Sequence, residues 1–204
     1  MKKLVLSLLC VFSMLFANAQ TVTTLSVEAG LGLSTWMGNN GYNSHALFNQ
    51  HVGIGVDIPL NGWFSFKTGL RWTSLGAMYE LPENDLKVNQ NYFQMPILAS
   101  LHIGTKRNFD VVVSAGPYVA YGAKGKTYQT IDDVRMSWDT FNDGQIQGVD
   151  IWKGLRRFDA GIEAGVSLDF PVWMIGVNGD FGLCRLQKNG PRNVGVFVSA
   201  GYKF

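Results

Sequence analysis

The stretch Asn193–Phe204 reads NVGVFVSAGYKF, and its apolar side chains fall at every second position from Val194 to Phe204. The residues between them are mostly small or polar. This alternation is typical of a β-strand with one apolar face and one wetter face. If the apolar face contacts lipid, the strand must belong to a closed barrel, because an open sheet edge in hydrocarbon would leave backbone N–H and C=O groups unpaired.

The same alternation recurs in earlier segments, so that the chain contains eight candidate strands. They cover about 23–37, 51–58, 64–73, 92–103, 109–120, 158–170, 173–184 and 193–204. Short turns follow the second, fourth and sixth strands. The longer connections cover 38–50, about 75–91, about 123–156 and 187–192.

Outer-membrane barrels combine short periplasmic turns with long extracellular loops, and an even number of strands returns the chain to its starting side. We therefore predict an all-β fold, an eight-stranded antiparallel up-and-down transmembrane β-barrel. The predicted location is the outer membrane, with both termini in the periplasm.

A soluble eight-stranded barrel would show the same alternation, but its apolar residues would face inward. Charged residues such as Glu28, Lys67 and Asp169 would then lie on the outside. The near absence of charge along the apolar faces, together with large aromatic residues near the strand ends, favours contact with lipid.

The first 20 residues predict export. Two lysines precede an apolar run, Leu4–Phe16, and the sequence ANA follows at 17–19. A basic start, an apolar run too short to span a bilayer and an A-x-A site describe a cleavable secretory signal; a short membrane anchor is the alternative. We expect a signal peptide at 1–19 and a barrel domain at 20–204.

The predicted mature chain is electrically neutral, because removal of the two signal lysines leaves 15 basic and 15 acidic residues. It offers no general electrostatic attraction for nucleic acid, so none is expected as a partner. Cleavage also removes Cys10 and leaves Cys184 as the single cysteine. We therefore expect no intramolecular disulfide.

The sequence contains no Gly-x-Ser-x-Gly or His-Glu-x-x-His motif, and its three histidines are scattered. Small barrel lipid hydrolases can use a Ser–His pair, for which His51 or His102 near a serine would be the candidates. Scattered histidines and serines are expected by chance. We predict a non-enzymatic protein with no catalytic residue and no cofactor.

The wetter faces of the strands carry charged residues of both signs. Eight strands enclose an interior just wide enough for side chains to fill, and an unpaired charge there would be costly. We predict a polar plug that holds the barrel in register; a proton or ion pathway is the alternative. The candidate plug residues are Glu28, Asp57, Lys67, Arg71, Asp159, Glu163 and Arg185.

The connection 123–156 is too apolar for a freely solvated loop. In one interpretation, part of it extends two strands as a hairpin above the membrane. In the other, an exposed apolar cluster forms a docking surface for a partner protein or ligand. The candidate docking residues are Trp138, Phe141, Ile151 and Trp152.

Within this connection, DTFNDGQIQGVD at 139–150 partly resembles a calcium-binding loop. Asp139, Asp143, Gly144 and Asp150 occupy its first, fifth, sixth and twelfth positions. However, Phe141 stands where an oxygen ligand is expected, and Asp150 replaces the usual bidentate glutamate. A hairpin turn around Asn142 to Gly144 is the simpler interpretation, and no metal site is predicted.

The chain also resembles the PorT-like outer-membrane β-barrel family of Gram-negative bacteria. The matching stretches are NYFQMPILASLHIG at 91–104, AGPYVAYG at 115–122, RRFDAGIEAGVSLDF at 156–170 and the terminal GYKF. The resemblance implies an eight-stranded barrel in the outer membrane. Some members of the family resemble accessory parts of a protein secretion system, and the family pattern contains no catalytic residues.

Together these observations predict a scaffold or accessory component of an envelope or secretion assembly. Its expected partners are outer-membrane lipid and an envelope protein complex. The alternative is a narrow channel or conduit for small or amphipathic compounds.

Overall fold

The computed structural model describes residues 23–38, 43–81, 84–104, 108–131, 134–146 and 149–204, and the predicted signal peptide lies outside them. The strands are β1 (Thr24–Met37), β2 (Leu47–Pro59), β3 (Phe64–Leu81), β4 (Asn84–Gly104), β5 (Asp110–Ile131), β6 (Val134–Asp139), β7 (Gly144–Ile146), β8 (Val149–Trp152), β9 (Phe158–Asp169), β10 (Trp173–Gly182) and β11 (Arg192–Lys203). In the part of the chain described, no helix has the length and apolarity needed to cross a bilayer.

Eight of these strands form a closed antiparallel barrel. The hydrogen-bonded order runs β1, β2, β3, β4, β5, β9, β10, β11, and β11 pairs with β1, where Ala200 lies opposite Ala29. Because the ring closes, every barrel strand has a neighbour on both sides, as hydrocarbon requires. The predicted fold, an eight-stranded antiparallel barrel, is confirmed.

The apolar faces of the strands point away from the barrel axis. On β1 the side chains of Leu25, Val27, Leu31 and Leu33 are exposed, whereas those of Ser26, Glu28 and Ser34 are buried. The predicted orientation of the two faces is therefore correct. It is the reverse of a soluble barrel, in which the apolar face would form the core.

Aromatic residues bracket the apolar band at both ends. At one end, which we call the loop end because the β3–β4 and β5–β6 connections lie there, Trp72, Phe93, Tyr121 and Phe158 stand side by side on four adjacent strands. We call this set the aromatic row. At the opposite end, the turn end, Phe170 stacks on Trp173 at a ring-centroid distance of 3.9 Å. Aromatic girdles of this kind mark the two membrane–water boundaries of outer-membrane barrels.

Strands β3, β4 and β5 continue well beyond the aromatic row, where the sequence predicts loops at 75–91 and 123–156. For 75–91 the prediction is wrong, because β3 and β4 pair as far as Leu81 and Asn84. For 123–156 the hairpin interpretation is confirmed in part, because β5 continues to Ile131 before β6 folds back onto it.

The cause is that the polarity of the two faces is exchanged beyond the aromatic row. The outward positions become polar, as at Asn91, Asn89 and Lys87, and the inward residues Leu75 and Val88 are buried. The outer surface there meets water rather than lipid. The apolar residues of this part of the sheet therefore occupy inward positions. The outward apolar pattern that identifies a membrane strand is absent here.

Candidate functional site

Arg71 lies at the centre of an ion-pair cluster that spans the barrel interior. Its Nε atom is 2.8 Å from Oε1 of Glu28 on β1. Its Nη2 atom donates to both carboxylate oxygens of Glu163 on β9, at 2.7 and 3.0 Å. All three side chains are buried. Arg71 thus links three strands and supplies the cation that two buried carboxylates share.

The charged side chains continue from Arg71 toward the turn end. Nζ of Lys67 lies 3.7 Å from Oε2 of Glu28 and also donates to Sδ of Met174 at 3.7 Å. Closer to the turns, Nζ of Lys203 lies 3.0 Å from Oδ2 of Asp169. These pairs are partly solvent-accessible, so each contributes less to the stability of the barrel than the Arg71 contacts do.

Amide side chains hold the buried carboxylates between Arg71 and the loop end. Gln94 donates to Oδ2 of Asp180 at 3.0 Å. Asn193 donates to Oδ2 of Asp159 at 3.0 Å and to Oε1 of Gln90 at 3.1 Å. Sequence reasoning selected the charged residues and missed the amides. Their inward positions in the strand alternation are the signal that could have identified them.

A buried apolar cluster fills the loop end of the interior. Tyr92 and Tyr118 point inward from β4 and β5, and Phe141, Leu155 and Leu186 reach over them from the connecting segments. The ring centroids of Tyr92 and Phe141 are 5.7 Å apart, with the rings nearly perpendicular at 82°. Edge-to-face packing of this type is favourable for aromatic pairs. We call these five residues the loop-end cap.

The segment that carries Phe141 is fixed by specific contacts. A Cβ atom on Gly122 would lie 2.5 Å from the Phe141 ring, so glycine is required there for the ring to approach β5. Thr140 is fully buried and donates to the carbonyl of Asn89 at 3.0 Å. Arg157 stacks over the Phe141 ring at 5.1 Å and donates to the carbonyl of Gly122 at 3.0 Å.

The candidate docking residues occupy different positions. Phe141 is only 7% exposed, so the expectation that it forms an exposed docking surface is wrong. Its ring packs in the interior because Gly122 has no side chain in that space. Trp138 lies on β6, and it is partly exposed. Ile151 and Trp152 belong to β8, but their side chains lie outside the described part of the structure.

Two candidate plug residues lie away from the Arg71 cluster. Arg185 is exposed and donates to Asn189 at 3.3 Å. Its assignment to the interior is wrong because β10 ends at Gly182, after which strand alternation no longer predicts direction. Asp57 does face the interior, but at the turn end, with Oδ2 3.9 Å from Nε2 of His102.

The histidine–serine pairs of the interior do not have the geometry of a catalytic triad. Oγ of Ser65 lies 2.8 Å from Nε2 of His102, the same nitrogen that Asp57 approaches. A triad needs the hydroxyl and the carboxylate on opposite ring nitrogens. Ser199 contacts His51 at 3.2 Å and donates to Asn178. Among the described residues, no group of three or more His, Cys, Asp or Glu side chains is placed to hold a metal ion.

Two small cavities lie among polar side chains in the described part of the interior. They measure about 50 and 20 Å³, and Lys67, Ser114 and Met174 line both of them. A bound water needs roughly 10–15 Å³ of such volume. The cavities therefore have room for a few water molecules and not for a solute of appreciable size.

Replacing Arg71 with methionine should destabilise the barrel by about 3–5 kcal/mol, because it leaves Glu163 buried without its cation and Glu28 with only the longer contact to Lys67. Lys67→Met should cost about 1 kcal/mol or less, since Lys67 is partly accessible and its pair is longer. Urea unfolding in lipid vesicles measures both values. Equal losses in the two variants would contradict the central role of Arg71.

The chain is similar to solved structures of outer-membrane proteins, three of which follow. A major outer membrane protein from Thermus thermophilus is 12% identical, with 90% of this chain and 100% of that chain covered and a TM-score of 0.50. Ail, the attachment invasion locus protein of Yersinia pestis, is 14% identical, with 90% and 100% coverage and a TM-score of 0.45. Neisserial surface protein A is 12% identical, with 90% and 98% coverage and a TM-score of 0.45. At these identities the likeness concerns the fold alone.

Sequence comparison identifies the family more directly. No curated protein matches the chain. A family model described as "Outer membrane protein beta-barrel domain" matches residues 18–186, which is most of the chain and includes seven of the eight barrel strands. The chain therefore belongs to this family of outer-membrane β-barrel proteins.

Proposed function

We propose that this protein is a non-conducting outer-membrane barrel that acts as a scaffold or accessory component of an envelope assembly. The observation that carries the proposal is the filled interior. A solute crossing the barrel would have to displace Arg71 from both of its carboxylate partners and Phe141 from its position against Tyr92. Both contacts are buried and specific, which supports a structural role over a conduit.

The proposed docking region for a partner is the sheet beyond the aromatic row. Strands β3 to β6 form it, and among the described strands β6 pairs with β5 alone. An edge strand presents backbone N–H and C=O groups to which a partner can add a strand. Arg135 on β6 stacks over the ring of Tyr128 at 4.3 Å, which stiffens this hairpin.

In the proposed orientation, the β3–β6 sheet is outside the cell and both termini are periplasmic. The basis is the general asymmetry of outer-membrane barrels, whose short turns face the periplasm. The predicted signal peptide is consistent with export. The resemblance to PorT-like barrels supports an accessory role in an assembly.

Intact protein in a planar lipid bilayer should give no single-channel steps above the lipid background, because the interior is filled. The decisive control is Glu163→Gln, which alters the charge of the interior without touching the outer surface. Steps in the intact protein whose size changes in Glu163→Gln would identify a route through the barrel and overturn the scaffold proposal.

Shortening the β5–β6 hairpin should abolish partner binding. Replacing residues 129–136 with Asn-Gly leaves Tyr128 opposite Ser137 across a two-residue turn and keeps the loop-end cap. The matched control replaces 80–85 with Asn-Gly, which leaves Tyr79 opposite Leu86 at the tip of β3 and β4.

The measurement is crosslinking in native outer membranes followed by affinity purification and quantitative mass spectrometry. A stoichiometric partner should be captured by the intact protein and by the β3–β4 control, and lost with the shortened β5–β6 hairpin. Equal capture by all three proteins, or no stoichiometric partner at all, would contradict the proposed docking region.

A further inference from the structure

We propose that three lysines on the outer face beyond the aromatic row bind the phosphate groups of membrane lipids. Lys87 lies on β4, and Lys124 and Lys126 lie on β5. We call these three residues the lysine patch. The inference is independent of the scaffold proposal, because it concerns the outer surface of the barrel and not its interior or its protein partner.

The strand register places Lys124 next to the aromatic row, with Lys126 and then Lys87 in the rows beyond it. Tyr121 of the aromatic row lies opposite Phe93, and a bulge in the β4–β5 pairing follows, after which Lys124 lies opposite Asn91. Strand residues advance by about 3.3 Å each, so Lys124 stands roughly 10 Å or less along the strand from Tyr121. Aromatic girdles lie at the level of the lipid headgroups. The first lysine is therefore within reach of headgroup phosphates.

All three lysine side chains project outward. They are exposed, whereas Gly125 and Thr127, which alternate with them on β5, are buried. Lys126 lies opposite Asn89, and Lys87 lies opposite Tyr128, so that Lys87 and Lys126 are diagonal neighbours across two paired strands. The patch is compact enough for two or three ammonium groups to approach one phosphomonoester.

The three lysines form no ion pair with a carboxylate in the described structure. None of the ion pairs formed by the described residues includes Lys87, Lys124 or Lys126. Asp139 lies opposite Lys126, but its Oδ1 accepts the backbone N–H groups of Phe141 and Asn142 at 2.7 and 3.1 Å. Adjacent like charges repel each other, and a bound anion would relieve that repulsion.

The position of the patch favours lipid over a soluble anion as its ligand. The first outward row beyond the aromatic row contains Ser74, Asn91 and Lys124, and in it Ser74 donates to Asn91 at 2.7 Å. A lipid whose acyl chains contact the apolar band would bring its phosphate to this level. The membrane already holds such a lipid beside the barrel, whereas a soluble anion would have to be captured from solution.

The test uses the purified full-length barrel in detergent, titrated separately with phosphatidic acid, with zwitterionic phosphatidylcholine and with heparin as a soluble polyanion. Native mass spectrometry counts the retained ligand. The variant is K87Q/K124Q/K126Q. The charge-matched control, K153Q/R185Q/K188Q, removes three exposed cations from the connections at the loop end. Heat-dependent gel mobility verifies that both variants remain folded barrels.

The lysine-patch variant should bind phosphatidic acid roughly tenfold or more weakly than the intact protein, and its binding should depend less on salt. The control variant should bind as the intact protein does, and phosphatidylcholine binding should be unchanged in all three. Unaltered binding of phosphatidic acid, or an equal loss in both variants, would overturn the proposal. Loss of heparin binding with phosphatidic acid binding intact would assign the patch to a soluble polyanion and would also overturn it.

Discussion

The pairing of Arg71 with Glu28 and Glu163 is the contact on which the barrel interior depends. Strand alternation forces every second side chain of a membrane barrel inward, and eight strands leave no room for bulk water around those side chains. Charges in that space must neutralise one another. Arg71 does so across the interior at 2.8 and 2.7 Å, and thereby ties β3 to β1 and to β9, strands that are not its neighbours in the sheet.

The barrel has two solvents, and the polarity of its inward and outward faces is exchanged where one solvent gives way to the other. Between the two girdles, lipid surrounds the barrel, so the apolar side chains lie outside and the charged ones inside. Above the aromatic row the surroundings are aqueous. There Leu75 and Val88 belong to a buried apolar core, and the outer face is polar. The same strands pass through both regions, and their backbone pairing continues from one to the other. The lysine patch lies where the two regions meet.

Much of the fold follows from a period of two in the sequence. The alternation identified eight barrel strands and the direction of their faces, and it selected Glu28, Arg71 and Glu163 as inward charges. It did not reveal the length of β3, β4 and β5, because beyond the membrane the outward apolar positions it depends on become polar. A search for the reversed pattern, small or apolar inward and polar outward, would have extended those strands.

Other features arise from contacts between segments that are distant in sequence, which alternation does not report. Phe141 looked like an exposed apolar loop residue, but it is buried because Gly122 leaves space for its ring and Arg157 covers it. The inward amides Gln94 and Asn193 became informative only once their carboxylate partners were placed beside them. Arg185 lies beyond the last residue of β10, where the chain leaves the sheet and the inward–outward rule ends.

A double-mutant cycle between Arg71 and Glu163 tests the central pairing most directly. Arg71→Met, Glu163→Gln and the double variant would be unfolded in urea in lipid vesicles under identical conditions. If the two side chains neutralise each other in the interior, the double variant should lose less stability than the two single variants together. The expected difference is on the order of 1–3 kcal/mol. Stability losses that simply add would show that Arg71 and Glu163 act independently, and would contradict an interior organised around their ion pair.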